Sequence, residues 1–361
     1  MRVLHFPRDR DPYGDFLNSA LAKHGVESSY LELTNRSATL NILGLPFRSL
    51  FFRGSVDVVH IHWTFPFRLS WVRSVWARRA LRLWFTLWLI SLRLARVKIV
   101  WTAHNFLPHN PVFDNDLLAR QTLVRFASAV IAFDDFTARR ISQEFGETNI
   151  YVVPPAIEPL STIDYLTARN HLGIEEGQFV AAVLGTVAPY KGVGASLRVV
   201  QRWAQMNPKE APRVKVVIAG LPTSTEVRAE VMEIAYSLQG TGITVELKLE
   251  RISDELMAMY YSAADVAFFL FRAVTNSSSL LCAMAAGTPV IVSQHPSLHY
   301  LKSASYFEVS DESQAREAFE QIFALPPEGK SLSRLAALKW AEPKNWDSVG
   351  SHVKELYLSI L

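Results

Sequence analysis

The chain has 361 residues, 49% of them apolar and 20% charged, with a formal net charge of +3. That length and composition predict two ordinary domains with buried cores and exclude a disordered chain. A single cysteine, Cys282, excludes a disulfide framework and a cysteine-based structural zinc site.

In chain order, the opening MRVLHFPRDRD reads as a strand and a loop with no apolar signal region, which predicts a reducing, cytoplasmic setting. Short β-branched runs at residues 3–6, 56–62, 99–103, 129–133 and 150–153 predict buried parallel strands. Helical stretches fall between them, at 16–24, 116–126 and 136–145. Val153-Pro154-Pro155 holds the chain extended and reads as a hinge. The alternation then restarts, with strands expected at 179–184, 214–219, 244–249, 266–270 and 290–292. Helices are expected at 194–203, 226–238, 254–262, 278–286, 311–323, 331–340 and 346–361. The pattern predicts an α/β protein of two Rossmann-like domains facing a central cleft, with ligands outside the carboxyl ends of the strands.

Charge is uneven along the chain. From Val58 to Phe113 there is no acidic residue, but there are eight basic ones and six of the nine tryptophans. Within segment 68–98 the longest uncharged run, residues 83–92, is ten residues, too short for the roughly 20 that a bilayer span needs. Arginine and tryptophan around a short apolar run suit a helix lying in a membrane interface. Segment 68–98 is therefore expected to meet an anionic membrane surface. A core helix with a basic outer face is the bland alternative. Nucleic acid ranks below both, because the overall charge is only mildly positive.

Two constellations suit a nucleotide diphosphate. Leu184-Gly185-Thr186-Val187-Ala188-Pro189-Tyr190-Lys191-Gly192 joins a strand to a helix, and Lys191 can meet a diphosphate as a point charge. Further on, Arg272 and the run Asn276-Ser277-Ser278-Ser279 precede an apolar helix, whose free N–H groups and dipole favour an anion. Each alone is equally well an ordinary turn or cap.

Together, GTVAPYKG, VVIAGLP, ISDELMAMYYSAADVAFFL and NSSSLLCAMAAGTPVIVS resemble, in order and spacing, the donor half of GT-B glycosyltransferases of the family 4 type. MRVLHFPRDRDPYGDFLNSAL, DVVHIHW and IVWTAHNFLPHN are similar to a bacterial subgroup that builds surface polysaccharides on lipid carriers and includes β-mannosyltransferases. The resemblance covers nearly the whole chain. It implies residues 1–158 as an acceptor-binding domain and 159–345 as a nucleotide-sugar domain, with 346–361 a helix returning to the first. It also implies a metal-independent hexosyl transfer from a nucleotide diphosphate sugar, GDP-mannose favoured and a UDP-sugar possible. The acceptor it implies is a lipid-linked saccharide at the inner membrane face. No metal or cofactor is expected, the leaving diphosphate being met by Lys191, Arg272 and the helix N-terminus instead. Donor contacts fall to Gly185, Thr186, Lys191, Gly192, Arg272, Asn276, Ser277, Ser278 and Ser279. Loops after Gly220 and around 250–253 are expected to meet the base or ribose.

The chain departs from the family-4 pattern in holding Val274 and Cys282 in place of two glutamates, Ala188 where an arginine is usual, and Ser278 where the subgroup often has glycine. These departures leave open a catalytically inactive partner subunit, and the shared architecture leaves open a nucleotide-sugar epimerase.

In the first half, His104 is expected to face the donor sugar and to be the favoured base, with Asp15, His109, Asp134 and Asp135 the other available groups. Tyr13, Gly14, His62, Trp63, Asn105 and His109 are the acceptor candidates. Gly14 is expected to permit close approach of a ligand. His60 is read as a satisfied core residue, and a histidine metal site is not expected for want of a third ligand.

Overall fold

The computed structural model describes every residue except 9–11, 32–36, 109, 147, 158–162, 275 and 302–305. The chain forms two compact units, Met1–Ala156 with Trp346–Leu361, and Ile157–Asn345.

The first unit runs β1 (Arg2–Phe6), α1 (Tyr13–Lys23), β2 (Glu27–Tyr30), α2 (Ala38–Leu50), β3 (Val58–Ile61), α3 (Val75–Leu94), β4 (Lys98–Thr102), α4 (Asp116–Phe126), β5 (Ala129–Ala132), α5 (Asp135–Phe145) and β6 (Ile150–Val152). All pairings are parallel and the sheet order is β2-β1-β3-β4-β5-β6. The inner strands β3 and β5 are short runs buried on both sides, as parallel strands between helices must be. Chain direction across the sheet reverses between β1 and β3, a switch point where ligands sit in folds of this kind.

The second unit runs α6 (Tyr165–His171), β7 (Phe179–Leu184), α7 (Val193–Met206), β8 (Val214–Ala219), α8 (Thr225–Gln239), β9 (Thr244–Lys248), α9 (Asp254–Ala263), β10 (Val266–Phe269), α10 (Ser278–Ala285), β11 (Val290–Ser293), β12 (Tyr306–Val309), α11 (Glu312–Phe323) and α12 (Pro327–Ala341). Its order, β12-β11-β10-β7-β8-β9, is also parallel and reverses between β7 and β10. The last helix, α13 (Trp346–Ile360), belongs to the first unit. There Val349, Val353, Leu356 and Tyr357 are buried with Leu17 and Leu21 of α1. A Cβ on Gly350 would lie 2.8 Å from that of Ala20, so the two helices meet almost backbone to backbone.

Four elements are absent from the sequence expectation: β2, β12, α2 and α6. The first two are edge strands with polar outer residues. α2 carries Pro46 in its interior, which reads as a breaker. Pro46 has no N–H for the carbonyl of Ile42, and Trp84 Nε1 of α3 donates to that oxygen instead, at 3.0 Å. Trp88 Nε1 donates to Ser49 Oγ at 2.9 Å, a second tie between α2 and α3.

These ties correct the picture of the basic aromatic segment. Trp88 and Trp101 are core residues, Trp84 is half-buried, and Trp63 lies beside His104. Only Trp71 and Trp76 of the six are strongly exposed. Arg82 is paired with Asp114 at 2.7 Å. The exposed apolar surface is broader than segment 68–98, because α2 adds Leu43, Phe47 and Leu50 at helical spacing, with Phe51 just beyond.

Candidate functional site

In the second unit, the turns beyond β7, β8 and β10 meet at the switch point. Gly185 follows β7 with φ +108°, and Ser279 Oγ would lie 2.7 Å from a Cβ built there. Gly220 follows β8 with φ +149°, and its Cβ would lie 1.8 Å from the Gly185 carbonyl oxygen. Glycine is required at that contact, because both partners are backbone. The Gly185–Gly192 loop is clasped further by Val187 N–H to the Leu221 carbonyl, 3.0 Å, and by Arg272 N–H to the Tyr190 carbonyl, 2.9 Å. Two expected donor motifs are thus brought together, with Gly185 against the first turn of α10.

At that turn Ser277 is the N-cap, its Oγ accepting from Leu280 N–H at 3.3 Å, and Asn276 Oδ1 accepts from Ser277 N–H at 2.8 Å. Ser277 is buried and Ser278 exposed. Capping occupies Ser277, so the N–H groups of the next residues are what this turn presents to an anion. Tyr261, which the sequence reading did not single out, is fully buried, and its Oη donates to the Leu184 carbonyl at the end of β7 at 3.5 Å.

Lys191 carries the charge. Its Nζ lies 5.3 Å from the ring centroid of Phe271 and 5.8 Å from that of Tyr190. Burial lowers its pKa to about 8. Among the described residues no carboxylate pairs with it. Thr186 is exposed at the loop bend, and Gly192 begins α7 in the left-handed region. Arg272 is exposed and lines a recess with Gly192, Gly194 and Arg198 at the start of α7. Cys282 is buried in the core and Val274 packs against it, so neither offers a polar group here.

In the first unit, histidines from three adjacent strands converge. His5 pairs in register with His60 across β1 and β3. His62 follows β3 and His104 follows β4. His5 Nδ1 and His62 Nε2 are 2.9 Å apart, and His62 Nδ1 and His104 Nε2 3.2 Å apart. His60 is satisfied on both nitrogens, by Tyr357 Oη and Thr102 Oγ1, each at 2.7 Å. Trp63 stacks on His104 with centroids 4.4 Å apart, and Tyr13 meets it edge-on at 4.7 Å. Trp346 of α13 packs on Tyr13 at 5.0 Å.

Burial holds these rings neutral. It lowers His5 and His104 to about 3, the latter helped by the Arg120 cation. It lowers His60 and His62 well below the ordinary value, with their mutual repulsion adding. A group of that pKa is a weak proton acceptor at neutral pH, which weighs against the half-buried His104 as the favoured base.

Other expectations change too. The third histidine that a metal site lacked is His5, whose nitrogens lie within 4.8 Å of those of His60 and His62. Both His60 nitrogens are engaged by hydroxyls, however, and His5 and His62 are bonded to each other. The close approach at Gly14 is made by Tyr30, whose Oη would lie 2.4 Å from a Cβ there. Tyr30 Oη donates to the exposed Asp15 at 2.9 Å. Asp134 caps α5 through Thr137 N–H and Oγ1, at 2.8 and 2.7 Å, so it serves as a cap. Burial raises its pKa. Asp135 is exposed in the first turn of α5, and Asn105 is partly buried just past His104. His109 lies outside the described residues.

Comparison with known proteins agrees with this geometry. Residues 164–334, within the second unit, match the family described as Glycosyl transferases group 1. A D-inositol 3-phosphate glycosyltransferase of Geodermatophilus obscurus is 27% identical over 66% of this chain and 52% of its own length. A GDP-mannose:glycolipid 4-beta-D-mannosyltransferase of Xanthomonas campestris pv. campestris is 26% identical over 65% of this chain and 60% of its own length. The chain thus spans about half to three-fifths of these relatives. Sucrose-phosphate synthase from Thermosynechococcus elongatus superposes with a TM-score of 0.72 over 99% of this chain and 98% of its own, at 15% identity. Anabaena HepE, solved with UDP and glucose, does so at 0.70 over 100% of both chains, at 16% identity. The fold is GT-B.

Proposed function

We propose that this chain, a GT-B relative of the group 1 glycosyl transferases, moves a hexosyl group from a nucleotide diphosphate sugar to a hydroxyl of a lipid-linked saccharide. One observation carries the reading. At the β7/β10 switch point the loop that carries a partly buried lysine meets, at its tight glycine turn, the first turn of helix α10, and among the described residues no carboxylate pairs with that lysine. A desolvated cation and free N–H groups at one place suit a diphosphate better than any neutral ligand. Leaving-group charge is met in this reading by Lys191, Arg272 and the first turn of α10, with no metal or other cofactor.

GDP-mannose is the favoured donor, supported by the mannosyltransferase among the relatives. Gly185, Thr186, Gly192 and the Asn276–Ser279 run line the donor, while Tyr13, His62, Trp63, His104 and Asn105 meet the sugars. Of the exposed carboxylates Asp15 and Asp135, Asp15 is assigned the acceptor proton, being two residues from Tyr13, whose ring packs on His104. The acceptor is assigned to a membrane surface because α2, α3 and the residues flanking them leave Phe47, Phe51, Trp71, Trp76, Leu83 and Leu94 exposed, the last four in a stretch free of acids from Val58 to Phe113. No helix among the described residues is long and apolar enough to cross a membrane.

The test is a thermal-shift panel of GDP, UDP, ADP and dTDP with their sugar conjugates, on the wild type and Lys191→Ala. Saturable stabilisation by one nucleotide, lost in the variant, supports the reading. Silence across the panel at millimolar concentrations overturns it and favours the inactive subunit, for which Val274 and Cys282 in the core already speak. Turnover of the nucleotide sugar without any acceptor would favour an epimerase.

A further inference from the structure

We propose that His5 and His62 are positioning residues that fix the tautomer of His104, so that its Nδ1 carries the hydrogen and donates to a ligand oxygen. The proposal rests on the reading of His104 as a sugar-facing group, but its test does not depend on turnover.

The argument starts from the connectivity. The three rings form a chain, His5 Nδ1 to His62 Nε2 and His62 Nδ1 to His104 Nε2. A neutral imidazole has one N–H and one lone pair, so it donates at one nitrogen and accepts at the other. Two hydrogen bonds in series therefore allow only two arrangements. In the first, His104 Nε2–H donates to His62, whose Nε2–H donates to His5, and His104 presents a bare Nδ1. In the second, His5 Nδ1–H donates to His62, whose Nδ1–H donates to His104 Nε2, and His104 presents Nδ1–H. All three tautomers switch together.

The far end of the chain decides between them. His5 Nε2 is buried and has no hydrogen-bond partner. The first arrangement leaves an N–H stranded there; the second leaves a lone pair. Buried donors without acceptors are the rarer defect in folded proteins. The second arrangement is thus favoured, and it makes His104 a hydrogen-bond donor of fixed direction. His60 stands outside the chain because its two nitrogens are bonded to Tyr357 and Thr102. The stacked Trp63 and the edge of Tyr13 hold the His104 ring in place. The consequence is chemical: His104 orients a sugar oxygen and leaves the acceptor proton to another group.

The experiment is nitrogen NMR of the full chain with 15N-labelled histidine, in the wild type, His5→Leu and His5→Asn. Expected in the wild type is the Nδ1–H tautomer at His5, His62 and His104. His5→Leu removes the end of the chain and should convert His104 to a tautomer mixture. His5→Asn keeps an N–H near the position of Nδ1 and should restore the single form. An Nε2–H tautomer at His104 in the wild type overturns the proposal. So does an unchanged His104 signal in folded His5→Leu. Should His5→Leu not fold, the wild-type tautomer alone decides.

Discussion

Lys191→Met separates stability from binding. The wild-type ammonium is held at a pKa of about 8 by burial beside Phe271 and Tyr190, against an ordinary lysine value of 10.5. At about 1.4 kcal/mol per pH unit, the charged form costs the native state up to about 3 kcal/mol. The sign follows from proton counts. Below pH 8 both native and unfolded chains are protonated, and the cost is fully present. Between pH 8 and 10.5 the native lysine has lost its proton while the unfolded one keeps it, so native stability rises. Methionine fills similar space with no charge. The variant should therefore be more stable than the wild type at pH 7, by up to about 3 kcal/mol, with the gap closing towards pH 10.5. For a unit of this size that is a rise of roughly 6–12 °C in midpoint. The same change removes a charge-assisted contact of about 2 kcal/mol and should weaken nucleotide diphosphate binding about thirtyfold. Thermal unfolding across pH, with and without nucleotide, measures both. A Met variant less stable than the wild type at pH 7, or one with undiminished binding, would refute the reasoning.

Other expectations follow from single contacts. Gly220→Ala drives a Cβ to 1.8 Å from the Gly185 carbonyl at φ +149°, and should cost about 3 kcal/mol or more in thermal unfolding, with nucleotide stabilisation lost as the loop moves. Trp84→Phe removes the donor to the Ile42 carbonyl and should cost about 1–2 kcal/mol; the loss should shrink in a Pro46→Ala background, where the helix supplies its own N–H, as a double-mutant cycle in urea would read. Phe47→Ser combined with Trp76→Ser should lower partitioning onto phosphatidylserine vesicles by tenfold or more in sedimentation, given about 1.5–3 kcal/mol per buried aromatic ring. Binding should weaken with salt, and equal binding to neutral vesicles would remove the electrostatic part of the argument.

Much of the second unit is legible in its sequence, and the reason is local. β7 and β8 coincide with the expected runs at 179–184 and 214–219, because uninterrupted apolar stretches buried on both faces have no competing reading. The edge strands escape for the opposite reason: Glu27–Tyr30 takes its conformation from β1, not from its own residues. α2 escapes because the donor that serves the Ile42 carbonyl in place of Pro46 stands 42 residues from Ile42 in sequence. The expectation that the segment's tryptophans mark a membrane face fails in part for a similar reason, since Trp84 and Trp88 staple α3 to α2.

The site divides along the same line. Lys191, Asn276 and the glycine turn are visible because each stands in a βα loop whose composition announces it. His5 is invisible, being one histidine in an ordinary strand. It becomes meaningful only when sheet order sets β1 beside β3 and β3 beside β4, which stacks three strand ends and their imidazoles in sequence. The two clusters then prove opposite in kind. Lys191 keeps a charge that its surroundings disfavour, whereas the histidines are kept neutral by theirs. Each tolerates a defect that stability alone would remove, an unpaired ammonium in one unit and an unpartnered ring nitrogen in the other. Folded proteins retain such defects where a ligand completes them. In the proposed function a diphosphate completes the first. The second lies at the closed end of its chain, so no ligand reaches it, and its effect is felt at His104, where the direction of one hydrogen bond is set.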